Sequence, residues 1–408
     1  MKLKMLLITV VFAGLYGCTT VNTTEQSIKS TTYVRDALKK YVDNGELPGA
    51  ISILYNNVGE EICCMGYADV ESKRPMSLDN HFMQCSQTKG FCGVTVAKLV
   101  EEGKISLDDP VSKYLPEYAT LGYLILPRDA EGRMLSKPVK TPITIRMCLN
   151  HTAGFPFEMP NYTAMGGWSR RMPLRSVAAT AISQRLLYEP GTKVQYSNVG
   201  IDVAAAVVEV VTGMRWEDYL KKAVLDPLGM TETSFRPTDK QLENKIELYA
   251  FAKGKKPQWR KEMPAMQRPY GDDRVFASAG AGLWTTVRDQ VKFYKMLMNL
   301  GLGDNGVRIL KEETVKNLLA VTSRNPKFGG YSLGLSAPVK DNEEAWFGHG
   351  GAWGTNCSVN YHKKQLKLWV VQHTGAPRPW ETDFNNVAKK FFNSTGNDST
   401  SEYTGRMK

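Results

Sequence analysis

The chain has 408 residues, 42% of them apolar and 23% charged, with a formal net charge of +11. Those proportions belong to a globular protein that can bury one large core or two smaller ones, and they exclude a disordered or fibrous chain. The basic residues are scattered apart from KGKKPQWRK (Lys253 to Lys261), and no nucleic-acid-binding signature accompanies them, so no nucleic-acid partner is expected and that cluster reads as a solvated basic loop, with a place near an anionic membrane surface as the alternative.

In chain order, residues 1–18 (MKLKMLLITVVFAGLYGC) pair a basic start with about a dozen apolar residues, too few for the roughly 20 a membrane-spanning helix needs. This is the pattern of an export signal. LYGC (Leu15 to Cys18) resembles the cleavage box of bacterial lipoproteins, which implies acylation of Cys18 and a membrane-anchored, exported protein on the periplasmic or outer-surface side. Tyr16 is bulkier than that box usually carries, and plain secretion is the alternative. Residues 19–30 are polar and read as a tether, residues 31–393 as one domain, and residues 394–408 as a polar tail.

Val34, Leu38, Tyr41 and Val42 give a first helix with one apolar face. Two strands follow, Gly49 to Tyr55 and Glu60 to Ala68, around the turn residues NNVG. From Gly93 to Asn299 the pattern is helical: Val94 to Glu102, Thr144 to Asn150, Ser176 to Leu187, Val199 to Thr212, Trp216 to Val224 and Thr286 to Met298. Strands return in GYSLGLSAPV, GTNCSVNYH and LKLWVVQH, and a last helix runs from about Thr382 to Phe392. The expected fold is α/β in layers: an antiparallel sheet built from both chain ends, flanked by helices, with an inserted, mainly helical lobe and a cleft at the junction.

Beyond Cys18 the cysteines are Cys63, Cys64, Cys85, Cys92, Cys148 and Cys357. Cys63 and Cys64 point to opposite faces of one strand. Cys85 and Cys92 lie about two helical turns apart, roughly 10 Å, beyond disulfide reach. No Cys/His spacing suggests zinc. Buried free thiols are expected, with neither metal nor cofactor.

Ser86 and Lys89 open the run SQTKGFCGVTVAKLVEEGK. Helical positions i and i+3 share a face with Cβ atoms about 5–6 Å apart, so hydroxyl and amine can meet. A serine near a helix N-terminus is also favoured by free backbone NH groups and the helix dipole. An unassisted hydroxyl is a poor nucleophile, and a neighbouring amine gives it a proton acceptor. A capping hydroxyl beside a snorkelling lysine is the plain alternative.

The surrounding blocks decide between these readings. PGA (Pro48 to Ala50) precedes the pair; LVEEGKISLDDPVSKYLPEY, ITIRMCLNHTAGF, EPGTKVQYSNVG, DPLGM, SAGAGLWTTVRD and FGHGGAWG follow it in order. This succession resembles the serine β-lactamase-related superfamily, which includes class C β-lactamases, D-alanyl-D-alanine carboxypeptidases and family VIII esterases, over nearly all of residues 31–393. The resemblance implies that Ser86 and Lys89 are the Ser-x-x-Lys pair, Tyr196 and Asn198 the Tyr-x-Asn motif, and His349, Gly350 and Gly351 the third motif. It implies a serine hydrolase that forms an acyl-enzyme on Ser86. Lys89 and Tyr196 would move the proton, Asn198 would orient Lys89 or the substrate, and the backbone NH groups of Ser86 and Ala352 would hold the oxyanion. The expected substrate is an ester or a D-amino-acid peptide, with weak β-lactamase activity. A non-catalytic or acylation-only sensor with the same fold is the alternative.

Three features depart from the family pattern. Gln84 and Cys85 are more polar than the usual pair before the serine, and Gly90 lowers helix stability by about 1 kcal/mol. His349 stands where β-lactamases carry a lysine; an imidazole with an ordinary pKa near about 6.5 is mostly neutral at pH 7. That shifts preference toward uncharged substrates unless Arg268, Arg274 or Arg378 restores the charge. Gly330 to Gly334 (GYSLG) fits the G-x-S-x-G pattern around Ser332, but strand and turn follow where a helix is required. A second Tyr-x-Asn at Tyr55 to Asn57 sits at a hairpin turn. His151 is read as closing a short helix, and His81, His362 and His373 as core or surface residues. Trp346 and Trp353 read equally as an acyl pocket or as packing. Gly122 to Lys140 and the loop from Lys253 are candidate rims of the cleft.

Overall fold

The computed structural model describes residues 17–22, 33–119, 122–158, 172–183, 185–252, 258–262, 276–325, 329–338, 345–375 and 378–394. Arg268, Arg274, residues 1–16 of the expected signal and residues 395–408 of the expected tail lie outside them.

A ten-stranded sheet organises the chain, in the order Gly17–Asn22, Gly59–Asp69, Gly49–Tyr55, Gln365–Val370, Thr355–Asn360, Phe347–Gly351, Ser336–Ala337, Gly329–Tyr331 and Ser323–Asn325, with Arg74–Pro75 also pairing Gly59–Asp69. All its pairings are antiparallel. The chain ends meet at its centre, where Ile53 faces Leu368 and Ser52 faces Trp369. The expected sheet from both termini is what forms. The boundary drawn at Cys18 falls inside the edge strand Gly17–Asn22, where Cys18 lies opposite Cys63.

Successive side chains in a strand point to opposite faces, and both faces of this sheet are buried, so its central strands read as nearly continuous apolar runs. Ala50, Leu54, Trp369 and Val371 pack under the two terminal helices, Tyr33–Asp43 and Pro379–Ser394, with Leu38, Trp380 and Phe384. Ile51, Ile53, Leu366 and Leu368 face the main core. There the helices Thr88–Glu101, Asn198–Thr212 and Val287–Met298 meet. The helix Asn198–Thr212 is buried from Val199 to Val208, as expected of a helix that is apolar all round. Thr144, Ser197 and Thr286 cap three helices by accepting from backbone NH groups.

Several boundaries move. The helix expected at Ser176 to Leu187 is Leu174–Ala181. Trp216–Leu220 continues into a π-helical turn, Lys221–Leu225. The basic loop from Lys253 is in part a strand, Gln258–Glu262, paired with Leu248–Ala252. A helix at Glu312–Leu319, not expected from the sequence, packs Val315, Leu318 and Leu319 into the core. Among the described residues no helix is long and apolar enough to cross a membrane, and Cys92, Cys148 and Cys357 are buried free thiols.

Candidate active site

Ser86 lies in a 3₁₀ turn, Cys85–Gln87, that runs directly into the helix Thr88–Glu101. Cys85 holds φ at +52°, a left-handed backbone that costs a non-glycine residue about 1–2 kcal/mol. Partners on every side hold that strain in place. The Gln84 NH donates to Leu283 O at 3.0 Å, Thr88 Oγ1 to Cys85 O at 2.7 Å, and Gln87 Nε2 to His349 O at 2.9 Å. Gln290 Nε2 donates to the side chains of both Gln84 and Gln87. The polar residue at 84, a departure at sequence level, is thus one member of a buried amide cluster behind the serine.

Lys89 is fully buried, and its ammonium has three acceptors: Ser86 Oγ at 3.2 Å, Asn198 Oδ1 at 2.6 Å and Gly280 O at 2.6 Å. It also stands 4.6 Å from the Tyr196 ring centroid. The first two expected motifs therefore converge. Gly280 is placed by Asp202, a buried carboxylate on the same helix as Asn198, which accepts from the NH groups of Ala279 and Gly280 at 2.7 and 3.1 Å and from Ser278 Oγ at 3.0 Å. Burial pushes the Asp202 carboxyl up to about 7, against the pull of these donors and of Lys89. A Cβ at position 280 would stand 2.8 Å from Asn198 Oδ1, so glycine is required there.

Tyr196 precedes the N-cap Ser197 and sits in an aromatic cluster. Ring centroids of His151, Phe157, Tyr331 and His349 lie 4.7, 5.8, 5.9 and 6.0 Å from its own. His151 follows the C-cap Asn150 with φ at +66°, in keeping with a role at the helix end. It is also buried against Tyr196, where its Nδ1 accepts from the Ser197 NH at 3.3 Å. Burial, with Lys89 and His349 nearby, holds it well below the ordinary imidazole range.

His349 ends up beside both. Its Nε2 is 2.7 Å from Tyr331 Oη, and its Nδ1 is 2.6 Å from Gly350 O. Burial first, and Lys89 second, push its pKa down to about 3, so the imidazole is neutral at pH 7. The strand Phe347–Gly351 pairs along its full length with Thr355–Asn360, but on its other side only Gly348 pairs, with Ser336. Beyond Gly348 that outer edge has no strand partner among the described residues. A Cβ on Gly351 would fall 2.6 Å from Gln84 O, which brings this edge against the turn that carries Ser86. Ala352 is exposed at its end, and its carbonyl accepts from Arg378 Nη2 at 3.2 Å. Arg378 is also paired with Glu381.

The other candidates stay apart. Ser332 turns a hairpin, with its hydroxyl on Leu335 O at 3.2 Å. Asn56 binds the Val58 and Gly59 NH groups of another turn. Trp346 packs on Phe392, and Trp353 packs with Met83, Cys85 and Trp284. His81 meets Glu232, His362 stacks on Tyr361 and His373 is buried. Sequence reading missed Tyr331, Asp202, Gly280 and Glu158, whose Oε1 accepts from Asn198 Nδ2 at 3.4 Å. Among the described residues no three His, Cys, Asp or Glu side chains stand together as a metal site.

This sheet and the helices packed on it define a protein of the β-lactamase/transpeptidase-like class. The chain belongs to the Beta-lactamase family, whose pattern matches residues 34–388. It is 28% identical over 370 residues to Protein Rv1367c of Mycobacterium tuberculosis (strain ATCC 25618 / H37Rv), covering 83% of this chain and 88% of that one. Its fold is similar to that of EstCE1, a hydrolase with promiscuous acyltransferase activity, with a TM-score of 0.71 at 22% identity over 87% of this chain and 97% of that one. It is likewise similar to a family VIII carboxylesterase, with a TM-score of 0.67 at 21% identity over 90% of this chain and 99% of that one.

Proposed function

We propose that the protein is a serine hydrolase that forms an acyl-enzyme on Ser86 and cleaves an ester or an amide. The observation that carries this reading is the Lys89 ammonium, fully buried and 3.2 Å from Ser86 Oγ with Asn198 Oδ1 and Gly280 O fixing its direction. In the reacting form Lys89 is the neutral amine: two N–H bonds stay on Asn198 Oδ1 and Gly280 O, the lone pair faces Ser86 Oγ, and with Tyr196 it takes the Ser86 proton as the hydroxyl attacks the substrate carbonyl. Lys89 and Tyr196 return it to the leaving group as the tetrahedral adduct collapses. The backbone NH groups of Ser86 and Ala352 receive the oxyanion, each such donor worth about 3–4 kcal/mol. Water then attacks the acyl-serine by the reverse proton path. The neutral His349 supplies no charge for a substrate carboxylate, so β-lactams and peptide C-termini are poor substrates and acyl donors without a carboxylate better ones.

The test is Ser86→Ala, assayed on a short-chain aryl ester, a chromogenic cephalosporin and a D-Ala-D-Ala peptide, with mass spectrometry of the wild type locating the trapped acyl group. Turnover and labelling both vanish in the variant; retained turnover overturns the assignment. Export with acylation of Cys18 is part of the same proposal. The mass of the mature protein from the membrane fraction checks it.

A further inference from the structure

A chain of hydrogen bonds leads from Ser86 through Lys89 and Asn198 to a carboxylate that acyl transfer does not use. Glu158 lies in the segment Phe155-Pro156-Phe157-Glu158, fixed to the second motif because the Asn198 NH donates to Phe157 O at 2.9 Å and Ser197 Oγ to Pro156 O at 2.7 Å. Its Oε1 accepts from Asn198 Nδ2 at 3.4 Å, the Asn198 Oδ1 takes Lys89 at 2.6 Å, and Lys89 reaches Ser86 Oγ at 3.2 Å. The carboxylate is therefore three hydrogen-bonded steps from the nucleophile. Half-buried, it forms no ion pair among the described residues. Lys89 acts on it only at a distance, since the ammonium's three protons already point to Ser86, Asn198 and Gly280.

Its neighbour Phe157 is 49% exposed and stacks on Tyr196, with ring centroids 5.8 Å apart and an interplanar angle of 20°. A carboxylate one residue from a half-exposed aromatic ring suits one chemical group above others, an ammonium, which gains from the charge and from the ring quadrupole together. Burial has also pushed the Glu158 carboxyl up. Part of its hydration is already lost, and a cationic partner restores what water no longer supplies. On the third-motif side, neutral His349 offers no competing cation.

We propose that Glu158 and Phe157 receive a protonated amine of the substrate, so that the acyl donors taken by Ser86 are amine-bearing esters or amides of the aminoacyl type. This rests on the acyl-enzyme reading given above. The test compares kcat/KM on the β-alanyl, propionyl and hemisuccinyl esters of 4-nitrophenol, corrected for uncatalysed hydrolysis, in the wild type, Glu158→Gln and Glu158→Lys. The β-alanyl to propionyl ratio exceeds one in the wild type and falls by about tenfold or more in Glu158→Gln, the equivalent of about 1.4 kcal/mol. Glu158→Lys reverses the order toward the hemisuccinyl ester. A ratio that is the same in all three proteins overturns the proposal and leaves Glu158 as a positioning residue for Asn198. Turnover of the propionyl ester by Ser86→Ala instead brings down the acyl-enzyme reading itself, so the two failures are told apart.

Discussion

Tyr331 Oη lies 2.7 Å from His349 Nε2, while His349 Nδ1 lies 2.6 Å from the Gly350 carbonyl. A carbonyl can only accept, so the Nδ1 carries the imidazole proton, Nε2 accepts and Tyr331 donates. Tyr331 also packs beside Tyr196, with ring centroids 5.9 Å apart. The phenol thus links the third motif to the second. Tyr331→Phe leaves a buried imidazole nitrogen unpaired, at a cost of about 1–3 kcal/mol in stability. It also removes the hydroxyl that fixes His349 beside Tyr196, which is expected to lower kcat by about tenfold with little change in KM. Steady-state kinetics on an aryl ester, beside thermal unfolding, separates the two effects; an unchanged kcat in a folded variant leaves Tyr331 with packing alone.

The same imidazole gives stability a pH dependence of known sign. Burial lowers the folded-state pKa of His349 to about 3 and that of His373 to about 4, against about 6.5 in an unfolded chain. As pH falls below that unfolded value the unfolded state binds protons that the native state refuses, so stability drops as the solution is acidified. Asp202 and Glu61, each raised to about 7 by burial, carry the opposite sign. Their contribution is full below the unfolded carboxylate pKa and is lost as pH rises through about 7. Buried His81 and His151 add to the first set and Glu209, raised to about 6, to the second; the wild-type profile is the balance of all of them, and substitution isolates His349. Between pH 7 and pH 5 the wild type is expected to lose about 2 kcal/mol more than His349→Asn does. Urea midpoints at the two pH values measure it, and equal losses would remove the depressed His349 from the account.

What the sequence displays is what depends on local spacing. Ser86 and Lys89 meet because i and i+3 share a helical face, and Ile51, Ile53, Leu366 and Leu368 mark strands because both sides of their sheet are covered. Tyr331, Asp202 and Glu158 gave no such signal. Tyr331 stands in a glycine-rich hairpin and meets His349 only through sheet pairing. Asp202 interrupts an apolar helix, and its partners come from residues 278–280. Glu158 follows an ordinary loop. The strand Phe347–Gly351 carries three glycines, which weaken any strand pattern yet let the edge close on Gln84 and Cys357.

Asp202 offers the sharpest separation of structure from chemistry. It accepts from Ser278, Ala279 and Gly280, and the Gly280 carbonyl in turn holds Lys89. Asp202→Ala takes the acceptor from the Ser278 hydroxyl and the Ala279 NH, while the Gly280 NH keeps Ser278 Oγ at 3.2 Å, at about 1–3 kcal/mol for each donor left unsatisfied. Asp202→Asn keeps one acceptor oxygen but adds an NH₂ group facing donors. Both variants are expected to lower kcat through a displaced Lys89 while an ester's KM holds. Stability measured by urea unfolding should fall further for Ala than for Asn. A full kcat in either variant would show that the 278–280 turn holds its shape unaided.

Gly90 and Gly93 make the final case, since at sequence level a glycine in a helix only weakens it. A Cβ on Gly93 would stand 2.1 Å from Leu333 O, a backbone atom, whereas one on Gly90 would first meet Leu335 Cδ2 at 2.6 Å, the end of a flexible side chain. The backbone of Leu333 and Gly334 packs directly on this helix, with a Cβ on Gly334 only 2.4 Å from Lys89 O. Gly93→Ala must push the hairpin away from the helix that carries Lys89, and overpacking of this kind costs about 1–3 kcal/mol. Gly90→Ala recovers about 1 kcal/mol of helix propensity, which offsets part of the Leu335 displacement. The expected order of thermal stability is wild type and Gly90→Ala close together and Gly93→Ala well below, with kcat following the same order. Equal melting temperatures for the two alanine variants would mean that the hairpin yields as easily as a leucine rotamer.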